Sequence, residues 1–255
     1  MIPGEQQSFD SRLREKWREI PATREGRMFS SDLLKVGDDA LLEYWELCRA
    51  ETCTPEVRGW YQDLYKEKLS GAAVADIGPG IGLDGIWFAQ HGARVTFVDI
   101  VEDNLKLLRR LCDLKKIKAD FYYVDDFFTY RFATTFDCFL CIGSLINAPF
   151  EFTKRQVEAL SRSLRVAGKV LMLGYPKERY DASGARDGAE FAATTDGPRT
   201  PWVEWYDDHK VQVLFGPTFR LEWSRNFGYH PTDFNWFELT KVADATDMRG
   251  VEWPA

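Results

Sequence analysis

The segment Val74-Ala75-Asp76-Ile77-Gly78-Pro79-Gly80-Ile81-Gly82 constrains this chain more than any other. Its first four residues are apolar apart from one acid, the pattern of a short buried strand. Glycines at alternate positions then break the strand into a tight turn, and Leu83-Asp84-Gly85-Ile86-Trp87-Phe88-Ala89 opens a helix. A strand, glycine turn and helix N-terminus in series bring backbone N–H groups close to a polar ligand that side chains would otherwise keep away. At a set distance follows Thr96-Phe97-Val98-Asp99-Ile100, the next parallel strand, ending in an acid suited to gripping ribose hydroxyls. The pair points to a nucleotide-like cofactor. The plain structural alternative is a set of glycines that serves only a tight strand–helix turn.

Glycine spacing bears on which cofactor. Gly80-Ile81-Gly82-Leu83-Asp84-Gly85 formally fits the dinucleotide fingerprint GxGxxG. The fuller pattern is Asp76-x-Gly78-x-Gly80-x-Gly82, with an acid inside the strand two residues before the first glycine. That pattern resembles the first motif of class I S-adenosylmethionine-dependent methyltransferases. The resemblance implies S-adenosylmethionine as cofactor and S-adenosylhomocysteine as product. It implies that the turn faces the methionine half, that Asp76 helps place the ligand's amino group, that Asp99 binds the ribose diol and that Ile100 packs on adenine. A nicotinamide-dependent reductase would need a Tyr-x-x-x-Lys pair after the fourth strand. The nearest match, Tyr61 to Lys66, has one residue too many and precedes the glycine motif.

The remaining pattern extends the resemblance over residues 70 to 242. Glu102 to Ile117 reads as an amphipathic helix with Leu105, Leu108, Leu111, Cys112 and Leu114 on its apolar side. Ala119 to Phe128 reads as a strand ending in acids and aromatics. In the resembling family an acid here accepts from the adenine amine beside an apolar neighbour, which singles out Asp126 before Phe127, with Asp125 in reserve. Either acid also suits a turn cap. Phe136 to Gly143 reads as a strand buried on both faces. Its C-terminal end puts Ile142, Gly143 and Ser144 against the cofactor, since ligands in open α/β sheets lie at the carboxyl ends of the strands. Asn147-Ala148-Pro149-Phe150 is a partial match to the Asn-Pro-Pro-Phe/Tyr motif of amino-group methyltransferases and supports no substrate assignment. Helix Thr153–Val166, capped by Gly168, strand Val170–Gly174, helix Asp207–Phe215 and strands Thr218–Phe227 and Phe234–Val242 complete the pattern. The expected fold is α/β: a Rossmann-like seven-stranded mostly parallel sheet closed by an antiparallel hairpin, with an N-terminal helical cap.

Residues 1–69 are expected to form that cap, and 70–255 the methyltransferase domain, with an inserted acceptor-site segment around 176–206. Ser30–Ala50 and Pro55–Leu69 read as the cap helices. Trp60 or Tyr61 is placed to touch ligand, although packing on the sheet explains such rings equally. Asp181–Pro201 reads as a long lid or linker loop, and Pro201-Trp202-Val203-Glu204-Trp205-Tyr206 as a wall of the acceptor site. Cys138 and Cys141 lie three apart in a strand and so face opposite sides. All five cysteines read as reduced, and no metal site is assigned. A net charge of −7 disfavours nucleic-acid partners. The absence of a long apolar stretch or signal peptide points away from membranes and toward the cytoplasm.

Methyl transfer from a sulfonium is an in-line displacement, so most of the work lies in positioning. Among candidates for a base, His91 at a helix end reads as structural and His209 as solvated. His230, in the last hairpin, is the histidine of choice, with Glu204, Tyr206 and Asp233 behind it. The expectation is methyl transfer to N or O of a small-molecule acceptor. The alternatives are a nucleic-acid or protein methyltransferase and a non-catalytic cofactor-binding partner subunit. Oligomeric state stays open between monomer and homodimer.

Overall fold

Six elements precede the strand that carries Asp76: helix α1 (Pro3–Lys16), strands β1 (Glu19–Thr23) and β2 (Gly26–Phe29), and helices α2 (Ser30–Leu33), α3 (Asp38–Thr52) and α4 (Gly59–Tyr65). The computed structural model describes residues 3–23, 26–197 and 199–244. Alternation of strand and helix follows: β3 (Ala73–Ile77), α5 (Leu83–Gln90), β4 (Arg94–Asp99), α6 (Glu102–Leu114), β5 (Ala119–Tyr123), β6 (Phe136–Ile142), α7 (Phe150–Ser161) and β7 (Leu164–Pro176). The chain then runs through α8 (Lys177–Ser183), α9 (Gly188–Thr195), β8 (Trp205–Tyr206) and α10 (Asp208–Phe215) to the hairpin β9 (Phe219–Phe227) and β10 (Phe234–Lys241).

The main sheet has the order β5-β4-β3-β6-β7-β10-β9, with short β8 pairing separately along β7. β3 to β7 are parallel; β10 enters antiparallel between β7 and β9, with Trp236 opposite Leu173 and Arg225. This is the expected seven-stranded arrangement. The chain builds outward from β3 to β5 and then returns to lay β6 on the other side of β3. At that reversal the helices leave to opposite faces and open a crevice beyond the strand ends, where doubly wound sheets bind ligands.

Both faces of the sheet are covered. Trp45, Tyr61, Tyr65, Phe88, Phe97 and Leu108 fill one side beneath α3 to α6. Val157, Leu160, Phe191, Val211 and Leu214 fill the other beneath α7, α9 and α10. Cys138 belongs to the first cluster and Cys141 to the second, as strand alternation requires. A small third cluster joins Phe9 and Leu13 of α1 to Phe127, Ala148 and Phe152.

Three local expectations are corrected. The first cap helix is two helices, α2 and α3, and a strand hairpin and α1 come before it. The long loop at 181–201 holds α9, whose N-cap Asp187 accepts from the backbone N–H groups of Ala189 and Glu190. Gly168 does not cap the preceding helix: that helix ends at Ser161, and the left-handed residue nearby is Ala167 at φ +66°, inside β7 where its register on β6 shifts. Gly168 is needed for space, since a Cβ there would stand 2.8 Å from the carbonyl oxygen of Arg165.

Candidate active site

Gly78, Gly80 and Gly82 all have left-handed backbone, with φ of +66°, +58° and +75°. Side chains at such angles are strained, so this turn requires glycine. Their surroundings differ. A Cβ on Gly82 would stand 2.5 Å from Leu108, so this glycine lets α5 close onto α6 and does not line the crevice. Gly80 has open space, its nearest neighbour being Ile20 at 3.9 Å. The indole N–H of Trp45 fixes the turn from behind, donating to the Ile81 carbonyl at 3.1 Å.

The crevice is a cavity of about 460 Å³ between this turn and the N-terminal segment. Asp76, Gly78, Gly80, Asp99, Ile100, Phe127, Ile142, Gly143 and Ser144 all line it. Asp76 accepts from the Gly85 N–H at 3.0 Å, and burial followed by the nearby Asp84 carboxylate pushes its carboxyl well above the usual range. Asp99 accepts from the Val101 N–H at 2.8 Å and from the Asn104 amide at 3.2 Å. Burial outweighs those bonds and pushes Asp99 up to about 7. Among the described residues the buried hydroxyl of Ser144 and the Oδ1 of Asn104 have no hydrogen-bond partner. Left-handed Gly143 has nothing within 4 Å of where a Cβ would be.

Asp84, in the first turn of α5, is a lining acid that the sequence reading passed over. It pairs with Arg58 and accepts from the Tyr61 hydroxyl at 3.0 Å and the Gln62 amide at 2.9 Å. An acid in an otherwise apolar helical run was the available signal. Tyr61 itself lies off the cavity wall, stacked on Trp236 with centroids 4.5 Å apart. Its place is behind Asp84. Trp60 packs among Trp223, Phe227 and Trp236, also away from the cavity.

Asp125 and Asp126 are exposed and off the cavity wall. Asp126 caps a turn, accepting from the Phe128 N–H at 2.9 Å and the Thr129 hydroxyl at 2.8 Å, and those bonds lower its pKa. The Asp125 carbonyl accepts from Arg14 of α1 at 2.9 Å, and the same guanidinium donates to the Val124 carbonyl at 2.7 Å. Phe127 faces the cavity under Arg14, whose guanidinium carbon is 5.1 Å from the ring centroid.

The three catalytic candidates lie outside the cavity wall. His230 is exposed in the β9–β10 turn, where its backbone N–H donates to Asp233 at 2.9 Å. Glu204 is buried between Lys210 and the Trp202 indole. The Tyr206 hydroxyl is spent on the Leu145 carbonyl at 3.1 Å. A different polar group reaches the cavity wall. Asp196, the C-cap of α9, accepts from Arg27 at 3.0 Å, from the Tyr175 hydroxyl at 3.2 Å and from the Asn147 amide at 3.2 Å. Asn147, Tyr175 and Asp196 are contributed by segments far apart in sequence, and only the fold brings them together.

The profile of the family described as a methyltransferase domain matches residues 74–168, which run from β3 into the first residues of β7. Residues 74–168 carry a methyltransferase domain. No curated protein matches the chain. Among solved structures, this methyltransferase is similar to an S-adenosylmethionine-dependent methyltransferase from Clostridium acetobutylicum ATCC 824, at 12% identity and a TM-score of 0.59 over 81% of this chain and 99% of that one. It is similar also to magnesium protoporphyrin IX methyltransferase from Synechocystis PCC 6803 with bound S-adenosylhomocysteine, at 17% identity and 0.56 over 73% and 86%. The [4+2]-cyclase SpnF shares the fold at 13% identity and 0.56 over 74% and 82%. At such identities the likeness speaks of fold. The residues present suit such a cofactor chemically: open space at Gly80 and Gly143, a Ser144 hydroxyl without a partner among the described residues, and three lining acids, Asp76, Asp84 and Asp99, of the kind that accept from amines and hydroxyls.

Proposed function

We propose that this methyltransferase moves the methyl group of S-adenosylmethionine to a nitrogen or oxygen of a small-molecule acceptor in the cytoplasm. The observation that carries the reading is one cavity lined both by a cofactor-type turn with its acids and by the Asn147–Tyr175–Asp196 cluster. Its volume of about 460 Å³ is that of a small-molecule site. Leu13, Trp17 and Ile20 wall it, so residues 1–69 act as a cap, with the segment around 176–206 forming the acceptor side. Walls of this kind and a net charge of −7 favour a small acceptor over a nucleic-acid strand. Among the described residues no helix is long and apolar enough to cross a membrane, and the five cysteines are free, in keeping with a reducing compartment.

When bound, the cofactor supplies an electrophilic methyl and its own leaving group. The chain's residues then bind and align. Asp76 and Asp84 offer acceptors to an amino group, and Asp99 to the ribose diol. Tyr175 and Asn147, held by Asp196, present fixed polar groups to the acceptor. Alignment of this sort is worth about 7–11 kcal/mol of a barrier. Calorimetry with S-adenosylmethionine, S-adenosylhomocysteine and NADH tests the reading: the first two should bind and NADH should not. Binding of NADH alone would overturn it.

A further inference from the structure

Charged side chains reach the cavity wall in two groups. Asp76, Asp84 and Asp99 come from β3, α5 and the end of β4, with Arg58 paired to Asp84. Arg27 and Arg179 come with Asp196 and Glu19; Asp196 pairs with Arg27, and Glu19 is already taken by Lys16 and Arg199, neither of which lines the cavity. A cationic cofactor accounts for the aspartates and leaves Arg27 and Arg179 without a function.

The two lining arginines have hydrogen-bonding capacity to spare. Arg27 gives Nη2 to Asp196, and among the described residues its buried Nη1 has no hydrogen-bond partner. Arg179 gives Nη1 to the Asp233 carbonyl at 2.7 Å, and among the described residues no carboxylate pairs with it. Its guanidinium carbon stands 4.6 Å from the centroid of the Tyr175 ring. The hydroxyl of that ring shares one Asp196 oxygen with Arg27. Two guanidiniums therefore bracket one phenol with a single carboxylate between them. A planar fork of N–H donors matches a carboxylate or phosphate in shape as well as charge.

We propose that the acceptor carries a carboxylate or phosphate group, and that this group docks on Arg179 and Arg27 beside Tyr175 and Asp196 in the cavity. The proposal rests on the methyltransferase reading and names the substrate class of that same site. Anchored there, the acceptor shares one cavity with the glycine turn.

Protein saturated with S-adenosylhomocysteine is titrated, by ligand-observed NMR, with hydroxybenzoates, the matched hydroxybenzamides and phenyl phosphate. Anions should bind and the neutral amides should not. Preference between benzoate and phosphate identifies which anion the site takes. Arg27→Gln and Arg179→Gln should each weaken anion binding about tenfold, as loss of a charge-assisted hydrogen bond does, with cofactor-product affinity kept. Arg179→Lys should recover part of the loss. Where Arg27→Gln does not fold, Arg179→Gln decides alone. Amides that bind as well as acids, anions that do not bind, or variants with unchanged anion affinity would overturn the proposal. Failure of the wild-type protein to bind S-adenosylhomocysteine would instead sink the methyltransferase reading, so the two failures are distinct.

Discussion

Asp99 keeps its proton to a higher pH than an ordinary aspartate, because burial costs its charged form more than the Val101 and Asn104 bonds return. A carboxyl raised from 3.8 to about 7 binds more protons in the folded chain than in the unfolded one. Its contribution to stability is therefore greatest below the unfolded value and is lost as pH climbs through the folded one. Ribose hydroxyls donating to Asp99 would favour the charged form. S-adenosylhomocysteine should thus bind more tightly as pH rises through about 7, with proton release near pH 6. Calorimetry in buffers of different ionisation enthalpy reads that release directly. Asp99→Ala should weaken binding about tenfold or more. Asp84→Asn should weaken it too and should lower Tm, because Arg58 is left without its carboxylate. His230→Ala should leave turnover unchanged, as an exposed side chain outside the cavity; a large loss in a steady-state assay would return it to the site. Asp76 and Asp99 were legible in sequence because each sits at a fixed step from a glycine or a strand end. Asp84 and Asp196 were not, since their partners Arg58 and Arg27 are distant in sequence.

At the scale of elements, α1 is held in place by the Phe9–Leu13 cluster and by the side chain of Arg14. Arg14 reaches the carbonyls of Ile100, Val124 and Asp125 at the ends of β4 and β5, and covers Phe127. Arg14→Ala should free α1 and speed cleavage within the first twenty residues in limited proteolysis, while weakening cofactor binding at the neighbouring Ile100 and Phe127. A second prediction concerns the irregularity near the start of β7, where its register on β6 shifts. Ala167 is exposed and left-handed, a conformation costing about 1–2 kcal/mol for a residue with a Cβ. Ala167→Gly should raise Tm by about 2 °C in a thermal melt, the relief of strain exceeding the entropy the unfolded chain gains. Helices and strands with strong periodicity, such as α6, were readable from sequence. Helix α9 was missed because its Gly, Ala, Asp and Thr content resembles a loop. Its start did carry a capping signature, Asp187 three residues before Glu190.

Across the whole molecule, a mostly parallel sheet closed by an antiparallel hairpin was legible, because parallel strands read as apolar runs. The joining of distant segments at the cavity wall was not. Arg27 meets Asp196 across 169 residues of sequence, and no local pattern announces a contact of that range. The sheet order bears on how the protein is made. Strand β10 lies between β7 and β9, yet it leaves the ribosome after both. While synthesis runs from Pro176 to Phe234, the buried strand β7 has one edge with no permanent partner, and its apolar residues Val170, Leu171, Met172 and Leu173 are available to other chains. The cofactor turn and its neighbours β3 to β6 are complete long before that edge is closed. A nascent chain stalled in the α8–α10 segment thus combines a finished cofactor pocket with an open, aggregation-prone sheet, and its dependence on chaperones should end only when residues 234–241 slide into place.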